Sequence, residues 1–150
     1  MIFGSVAIAA DHRGYRLKVD VVKAVTLSGY NVIDYGTEDD GTIVDYPDYA
    51  EMVATYVQET QDAFGVLICN SGVGMAIAAN KLHGIRAVFC DRLDIVKLAR
   101  EHNDANVICL GSAFTSAEYA VQCIDLFATT AHQTNTRYST RIEKIDRLMT

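Results

Sequence analysis

Hydrophobic positions along the chain follow two alternating rhythms. Five short apolar runs have the length and residue types of buried strands: Ser5 to Ala10, Asn31 to Tyr35, Ala63 to Cys69, Ile85 to Cys90 and Asn106 to Leu110. Between them, apolar residues recur at helical spacing. Leu17, Val21, Val22, Val25 and Leu27 form a stripe over Tyr15 to Ser28, and Gly29 stops it. After a polar stretch from Thr37 to Val44, Asp45-Tyr46-Pro47 opens a second helix that runs to about Thr60. Pro47 suits the first helical position, which makes Tyr46 the cap. Tyrosine caps poorly, so Asp45 is left free for other work. Further helices are expected over Val73 to Lys81, Leu93 to Glu101 and Thr140 to Met149. Thr115-Ser-Ala-Glu118 has the form of a capping box and opens a longer helix to about Ala131.

Five strands alternating with helices predict a doubly wound α/β fold, a parallel sheet covered on both faces. Such sheets bind ligands at the carboxyl ends of their strands. Asp11 and His12 follow the first strand, Cys69 ends the third, and Asp91-Arg92 follow the fourth. His102 and Asn103 instead fall at the end of a helix, at the opposite end of the sheet. That displacement suggests that His102 serves a neighbouring subunit's site.

The stretch from Gly65 to Lys81 carries the densest chemistry. An apolar strand ends at a thiol, Cys69, and the turn Asn70-Ser-Gly-Val-Gly74 leads into a helix. The first amides of a helix are unpaired and its dipole is positive there, which favours an anion. A thiol beside such amides ionises more readily than a free one. The stretch therefore offers a base or nucleophile next to an oxyanion or phosphate cradle. The turn is neither a Walker A loop nor GxGxxG, and a GxSxG elbow is absent. A small buried hydrophobe is the plain alternative for Cys69. Asp11-His12 has one too, capping the helix that follows. Arg137 and Arg141 stand four apart, so they share a face if the last helix reaches back that far, and two guanidinium groups on one face suit a phosphate.

Composition narrows the partners. The chain of 150 residues is half apolar, enough for a single domain, 1–150, with a real core. A net charge of −6 with no basic run argues against nucleic acid and for a small metabolite. No apolar run is long enough to span a membrane, and the first residues lack the charged n-region of a signal peptide. The four cysteines show no CxxC spacing and lie in strand-like or helical runs, so no disulfides and a reducing cytoplasm are expected. The four histidines are scattered, with no metal-ligand spacing.

The motifs then converge. Ala10-Asp11-His12-x-Gly14, Val44-Asp45-Tyr46-Pro47, Cys69-x-Ser71-Gly72-x-Gly74, Gly84-Ile85-Arg86-Ala87 and His102-Asn103-Asp104-Ala105-Asn106, with Arg137-x-x-x-Arg141 to close, resemble ribose-5-phosphate isomerase B. That family also holds the lactose-pathway galactose-6-phosphate isomerase subunits. The resemblance spans essentially the whole chain. It implies a flavodoxin-like, five-stranded Rossmann-type fold, and a homodimer or homotetramer with active sites shared between subunits. It also implies interconversion of ribose 5-phosphate and ribulose 5-phosphate without metal or cofactor.

Carried over residue by residue, the resemblance makes Cys69 the base that moves a proton between C2 and C1 through a cis-enediolate. Ser71 supports it, where many members have Thr. The backbone amides of Ser71, Gly72, Val73 and Gly74 hold the oxyanion, and Asn70 binds substrate beside them. Asp11 handles a hydroxyl proton, and His102 protonates the ring oxygen as the furanose opens. Asn103, Asp45 and Tyr46 bind and shape the sugar pocket, and His12, Arg137 and Arg141 take the phosphate. Cys69 favours the thiol-base branch over the galactose-6-phosphate subunits, and over members with Glu at the position of Met75. Two positions depart from the pattern. Ala113 stands where many members carry a phosphate-binding arginine, a charge that Arg13 is expected to supply, and Tyr138 stands where some relatives have His. The alternatives are an isomerase of a hexose 6-phosphate, of allose or galactose type, and a non-catalytic phosphosugar sensor on the same fold.

Overall fold

The computed structural model describes residues 2–134 and 136–149. Strands β1 (Ser5–Ala10) and β3 (Ala63–Cys69) are buried at every position, as strands covered on both faces must be. With β2 (Asn31–Asp34), β4 (Ala87–Phe89) and β5 (Val107–Gly111) they form a parallel sheet of order β2-β1-β3-β5-β4. The chain leaves β1 in one direction and β3 in the other. That flavodoxin-like switch point is where ligands bind in open α/β sheets. β5 lies between β3 and β4.

The two-residue side-chain period of the strands sorts the core into two layers. Val6, Ile8, Val66, Ile68, Ile108 and Leu110 pack under helices α1 (Tyr15–Leu27), α4 (Leu93–Asn103) and α5 (Ala117–Thr129). Ala7, Ala9, Leu67, Cys69 and Cys109 face α2 (Tyr46–Glu59) and α3 (Val73–Ala79). Each fully buried Val, Leu or Ile in these layers contributes about 1.5–3 kcal/mol. The last helix, α6 (Arg137–Asp146), runs into a 3-10 turn at Arg147–Met149 and packs against α4.

Several boundaries differ from expectation, each for a local reason. α2 starts at Tyr46, so Asp45 and not Tyr46 holds the cap position; its carboxylate makes no capping bond and stays free, as expected. The cap of α5 is Ser116, whose Oγ accepts from Tyr119 N–H at 3.2 Å, so the expected capping box slips by one residue and omits Glu118. α3 ends at Ala79 because the Asn80 side chain turns to β4, accepting from Ala87 N–H and donating to Ala87 O, both at 2.8 Å. β4 begins late because Arg86 N–H goes to Asn106 Oδ1 at 2.8 Å instead of to a strand. α6 begins at Arg137 and not at Thr140, capped by Thr136, which accepts from Tyr138 N–H at 3.2 Å. The last helix therefore does reach back to Arg137, and Arg137 and Arg141 share one of its faces.

Candidate active site

Two clusters of the expected residues form, at opposite ends of the sheet. The first sits at the switch point. Asp11, buried, ends β1; its N–H donates to Ile68 O at 3.2 Å, tying it to β3. Asp11 Oδ1 accepts from Arg13 N–H and Gly14 N–H, each at 3.0 Å, so the capping reading of Asp11 holds for one oxygen. Among the described residues Oδ2 has no hydrogen-bond partner, and it is not sealed from solvent, so it can serve a ligand. His12 Nδ1 accepts from Val44 N–H at 3.3 Å. In the neutral ring the proton therefore sits on Nε2, a donor for an anion.

Across the switch point, Cys69 ends β3 on the α2–α3 face and is 5% exposed. Its sulfur accepts from Gly72 N–H at 3.1 Å. The turn thus folds back on the thiol, and Gly72 is a glycine by necessity. Its φ is +80°, and a Cβ there would lie 2.9 Å from the Leu110 carbonyl carbon and 2.8 Å from the Phe89 ring. Gly74 is constrained by contact alone, since a Cβ would meet the Tyr46 ring at 2.7 Å. Tyr46 therefore lies directly over the start of α3. Two of the four turn amides have partners within the chain: Gly72 N–H is aimed at Cys69, and Val73 N–H reaches Ser71 Oγ at 3.4 Å. Short polar side chains at a turn compete for its amides.

The loop after β5 closes the same end. Ser112 N–H donates to Cys69 O at 2.9 Å, Ala113 N–H to Asn70 O at 3.1 Å, and Ser112 Oγ to Arg13 O at 2.9 Å. Arg13, exposed, is thereby tied to the loop that carries Ala113. Cys109, fully buried on the same sheet face as Cys69, has its thiol pushed well above the ordinary value, by burial first and then by Cys69 and Cys90.

The second cluster lies where α4 ends, at the amino ends of the strands. His102 stacks on Tyr138 of α6, with ring centroids 4.0 Å apart and planes 12° apart. The Arg137 guanidinium lies over the Tyr138 ring, 5.3 Å from its centroid. Asn103 lines a groove of about 480 Å³ with Asn80, Arg86 and Ile145. In one chain, then, Cys69, Asp11, His12, Asp45, Tyr46 and the turn belong to one end, and His102, Asn103, Arg137 and Arg141 to the other. Among the described residues no three His, Cys, Asp or Glu side chains gather as a metal-ligand set. No described helix is long and apolar enough to cross a membrane.

Two ion-pair systems escaped the sequence reading. Lys18, 3% exposed, donates to both oxygens of Asp34 at 2.6 and 2.7 Å, and Asp34 Oδ1 also accepts from Gly36 N–H at 2.9 Å. The Gly36–Thr37 segment in turn pairs with Ala10, just before Asp11. The available signal was a lysine on the buried stripe of α1, aligned with Val21 and Val25. The second system joins Asp104 to Arg86 and Arg100.

A doubly wound sheet with a thiol, a carboxylate and an imidazole at its switch point defines the class: an α/β protein built to handle a small polar ligand between β1 and β3. The sequence model of the Ribose/Galactose Isomerase family matches residues 6–145, and the chain belongs to that family. It is 39% identical over 140 residues to ribose-5-phosphate isomerase B of Escherichia coli, covering 93% of each chain. The solved structure of ribose-5-phosphate isomerase B from Clostridium thermocellum superposes with a TM-score of 0.92 at 38% identity, covering 96% of both chains. That of the Mycoplasma genitalium enzyme with bound ribulose-5-phosphate gives 0.90 at 34% identity, covering 96% of this chain and 95% of the other.

Proposed function

We propose that the protein is an aldose–ketose isomerase interconverting ribose 5-phosphate and ribulose 5-phosphate, within pentose phosphate metabolism in the cytoplasm. The observation that carries this reading is a single one. Cys69 stands at the switch point with an amide on its sulfur and the free oxygen of Asp11 at the neighbouring strand end. Isomerisation needs one base that reaches both C1 and C2, and donors where charge develops on oxygen. Cys69 is that base, taking the proton from C2 and returning it to C1 through a cis-enediolate. Turn amides from Asn70 to Gly74 that are not already engaged, with Ser71, hold the enediolate oxygen. Asp11 Oδ2 relays the hydroxyl proton.

The furanose must open before C2 becomes acidic. His102 is the acid for that step, with Asn103 on the sugar hydroxyls. Both lie at the far end of the sheet from Cys69, so they reach the thiol of a second copy, and the unit of function is a homodimer or a homotetramer built from it. Phosphate is taken by His12 Nε2–H, Arg137 and Arg141, with Asp45 and Tyr46 walling the sugar. Arg13, held beside Ala113 by Ser112, adds the charge that the β5 loop lacks. Arg13→Ala is expected to raise KM with kcat little changed; an unchanged KM removes Arg13 from the site.

The test is direct. Purified protein with ribose 5-phosphate should develop the ketose carbonyl band in the ultraviolet, Cys69→Ala should not, and EDTA should leave the rate alone. No signal from the wild type would point to a phosphosugar sensor. Faster turnover of allose or galactose 6-phosphate would move the substrate to the hexoses.

A further inference from the structure

Asp104 follows His102 and Asn103 directly and ends α4 in the left-handed conformation, at φ 45° and ψ 45°. Aspartate tolerates that conformation better than most residues but at a cost, so the surrounding structure must enforce it. It does so through two arginines. Arg100 Nη1 donates to Asp104 Oδ1 at 2.8 Å, and Arg86 Nη2 donates to Oδ2 at 3.1 Å. Arg86 Nε also donates to the Asp104 backbone carbonyl at 3.0 Å. Both carboxylate oxygens and the main chain are thus engaged.

Each arginine is itself anchored. Arg100 is 3% exposed and lies between the rings of Phe3 and Phe127, 4.9 and 5.4 Å from their centroids. It also donates to Thr130 O at 3.2 Å and to Ala105 O. Arg86 reaches α6 through Asp146 Oδ1 at 3.3 Å, and its N–H is taken by Asn106 Oδ1. One carboxylate therefore joins the end of α4, the start of β4 and, through Arg86, the helix that carries Tyr138, Arg137 and Arg141. The His102–Tyr138 stack bridges the same two helices.

We infer that Asp104 is a positioning residue for the His102 half of the site, fixing by its two arginine contacts and its left-handed backbone the register at which His102 meets the sugar ring. This rests on the isomerase reading above, in which His102 opens the furanose. Asp104 touches no substrate in this scheme; it acts through His102. Displacing a catalytic group by about 1 Å can cost roughly 10²-fold, and the knot around Asp104 resists such a displacement.

The experiment exploits a difference between the two sugars. Ribose 5-phosphate is a furanose and must be opened. Ribulose 5-phosphate is acyclic, because its 5-hydroxyl carries the phosphate. Deuterium entering C1 of ribulose 5-phosphate in D2O therefore needs Cys69 and the enediolate, with no ring opening. Asp104→Asn keeps the left-handed preference and removes the charge, and Asp104→Gly keeps the backbone and removes the side chain. For each variant, kcat for ribose 5-phosphate is divided by the C1 exchange rate on saturating ribulose 5-phosphate, using the same sample. The quotient is independent of how much protein is folded.

The expected result is a quotient roughly 10- to 100-fold below wild type in both variants, with exchange itself kept within about twofold per folded molecule. A quotient equal to wild type overturns the inference, whether both rates fall together or neither does. Wild type that turns over ribose 5-phosphate with no C1 exchange, or that does neither, instead overturns the enediolate reading and takes the Asp104 inference with it.

Discussion

The ring of Tyr46 lies so close over Gly74 that a methyl group added between them must displace the ring: a Cβ at Gly74 would sit 2.7 Å from Tyr46 Cζ. Gly74 is the second residue of α3 and its φ is not left-handed, so a side chain there is strained only by that contact, while alanine lowers the backbone entropy lost on folding. Gly74→Ala is therefore expected to separate activity from stability. Its kcat/KM for ribose 5-phosphate should fall about tenfold or more, as for other displaced site groups, while its thermal midpoint stays near or above that of the wild type. Gly74→Ala combined with Tyr46→Ser relieves the contact and should be no worse than Tyr46→Ser alone. A Gly74→Ala enzyme with full activity would show that Tyr46 yields freely.

Separation of the two clusters gives a second prediction. In the homodimer proposed above, Cys69→Ala and His102→Asn would each spoil every site of their own assembly. Mixed, dissociated and reassociated, they should regain roughly a quarter of wild-type activity, because half the dimers are mixed and one of their two sites is intact. Activity that never recovers would mean that both residues act within one chain.

Thiol chemistry supplies a third. Cys90, Cys109 and Cys123 are 0% exposed, and burial pushes Cys90 up to about 12 and Cys123 up to about 11, with Cys109 also well above the ordinary value. Cys69 is the cysteine with a measurable exposed surface, 5%. Iodoacetamide on the folded protein near pH 8 should label Cys69 alone, in step with loss of activity and more slowly in the presence of ribulose 5-phosphate. Peptide mass spectrometry reads the site directly. Early labelling of Cys123 would mean that α5 opens more readily than its packing implies.

These three buried thiols also set the alkaline limit. Their folded values lie above the ordinary 9.0, so above that pH the unfolded chain releases protons that the native state keeps. With fewer protons bound to the unfolded state, stability falls as pH rises, by about 1.4 kcal/mol per pH unit for each thiol. The contribution is fully present below 9.0 and is lost through about 11 for Cys123 and about 12 for Cys90. Urea midpoints should hold between pH 7 and 8 and drop from pH 9 to 10. Cys90→Val should make the drop shallower.

Much of this architecture is written in the hydrophobic rhythm itself. β1, β3 and β5 lie where their apolar runs are, because a strand buried on both faces leaves an uninterrupted apolar signal. The ends of α3 and β4 were not legible. The first is decided by the Asn80 amide and the second by the Asn106 side chain that takes Arg86 N–H, and a single polar side chain carries no periodicity. That Asp11, His12 and Cys69 share one edge of the sheet was legible because strand ends in this fold converge there. The ion pairs of Lys18 with Asp34 and of Asp104 with Arg86 and Arg100 were not. Their partners are 16, 18 and 4 residues apart, and only for the last does a local spacing rule give any hint.

The place of β5 bears on how the chain is made. Among the described strands β4 pairs with β5 alone, and β5 also covers the open edge of β3. During synthesis, β4 therefore emerges with nowhere to dock, and the Val66–Ile68 edge stays bare until residues 107–111 have left the ribosome. A nascent chain stalled before that point carries an apolar template for pairing with its neighbours. Closure of the sheet therefore waits on a five-residue segment, buried throughout, to which the proposed reaction assigns no group.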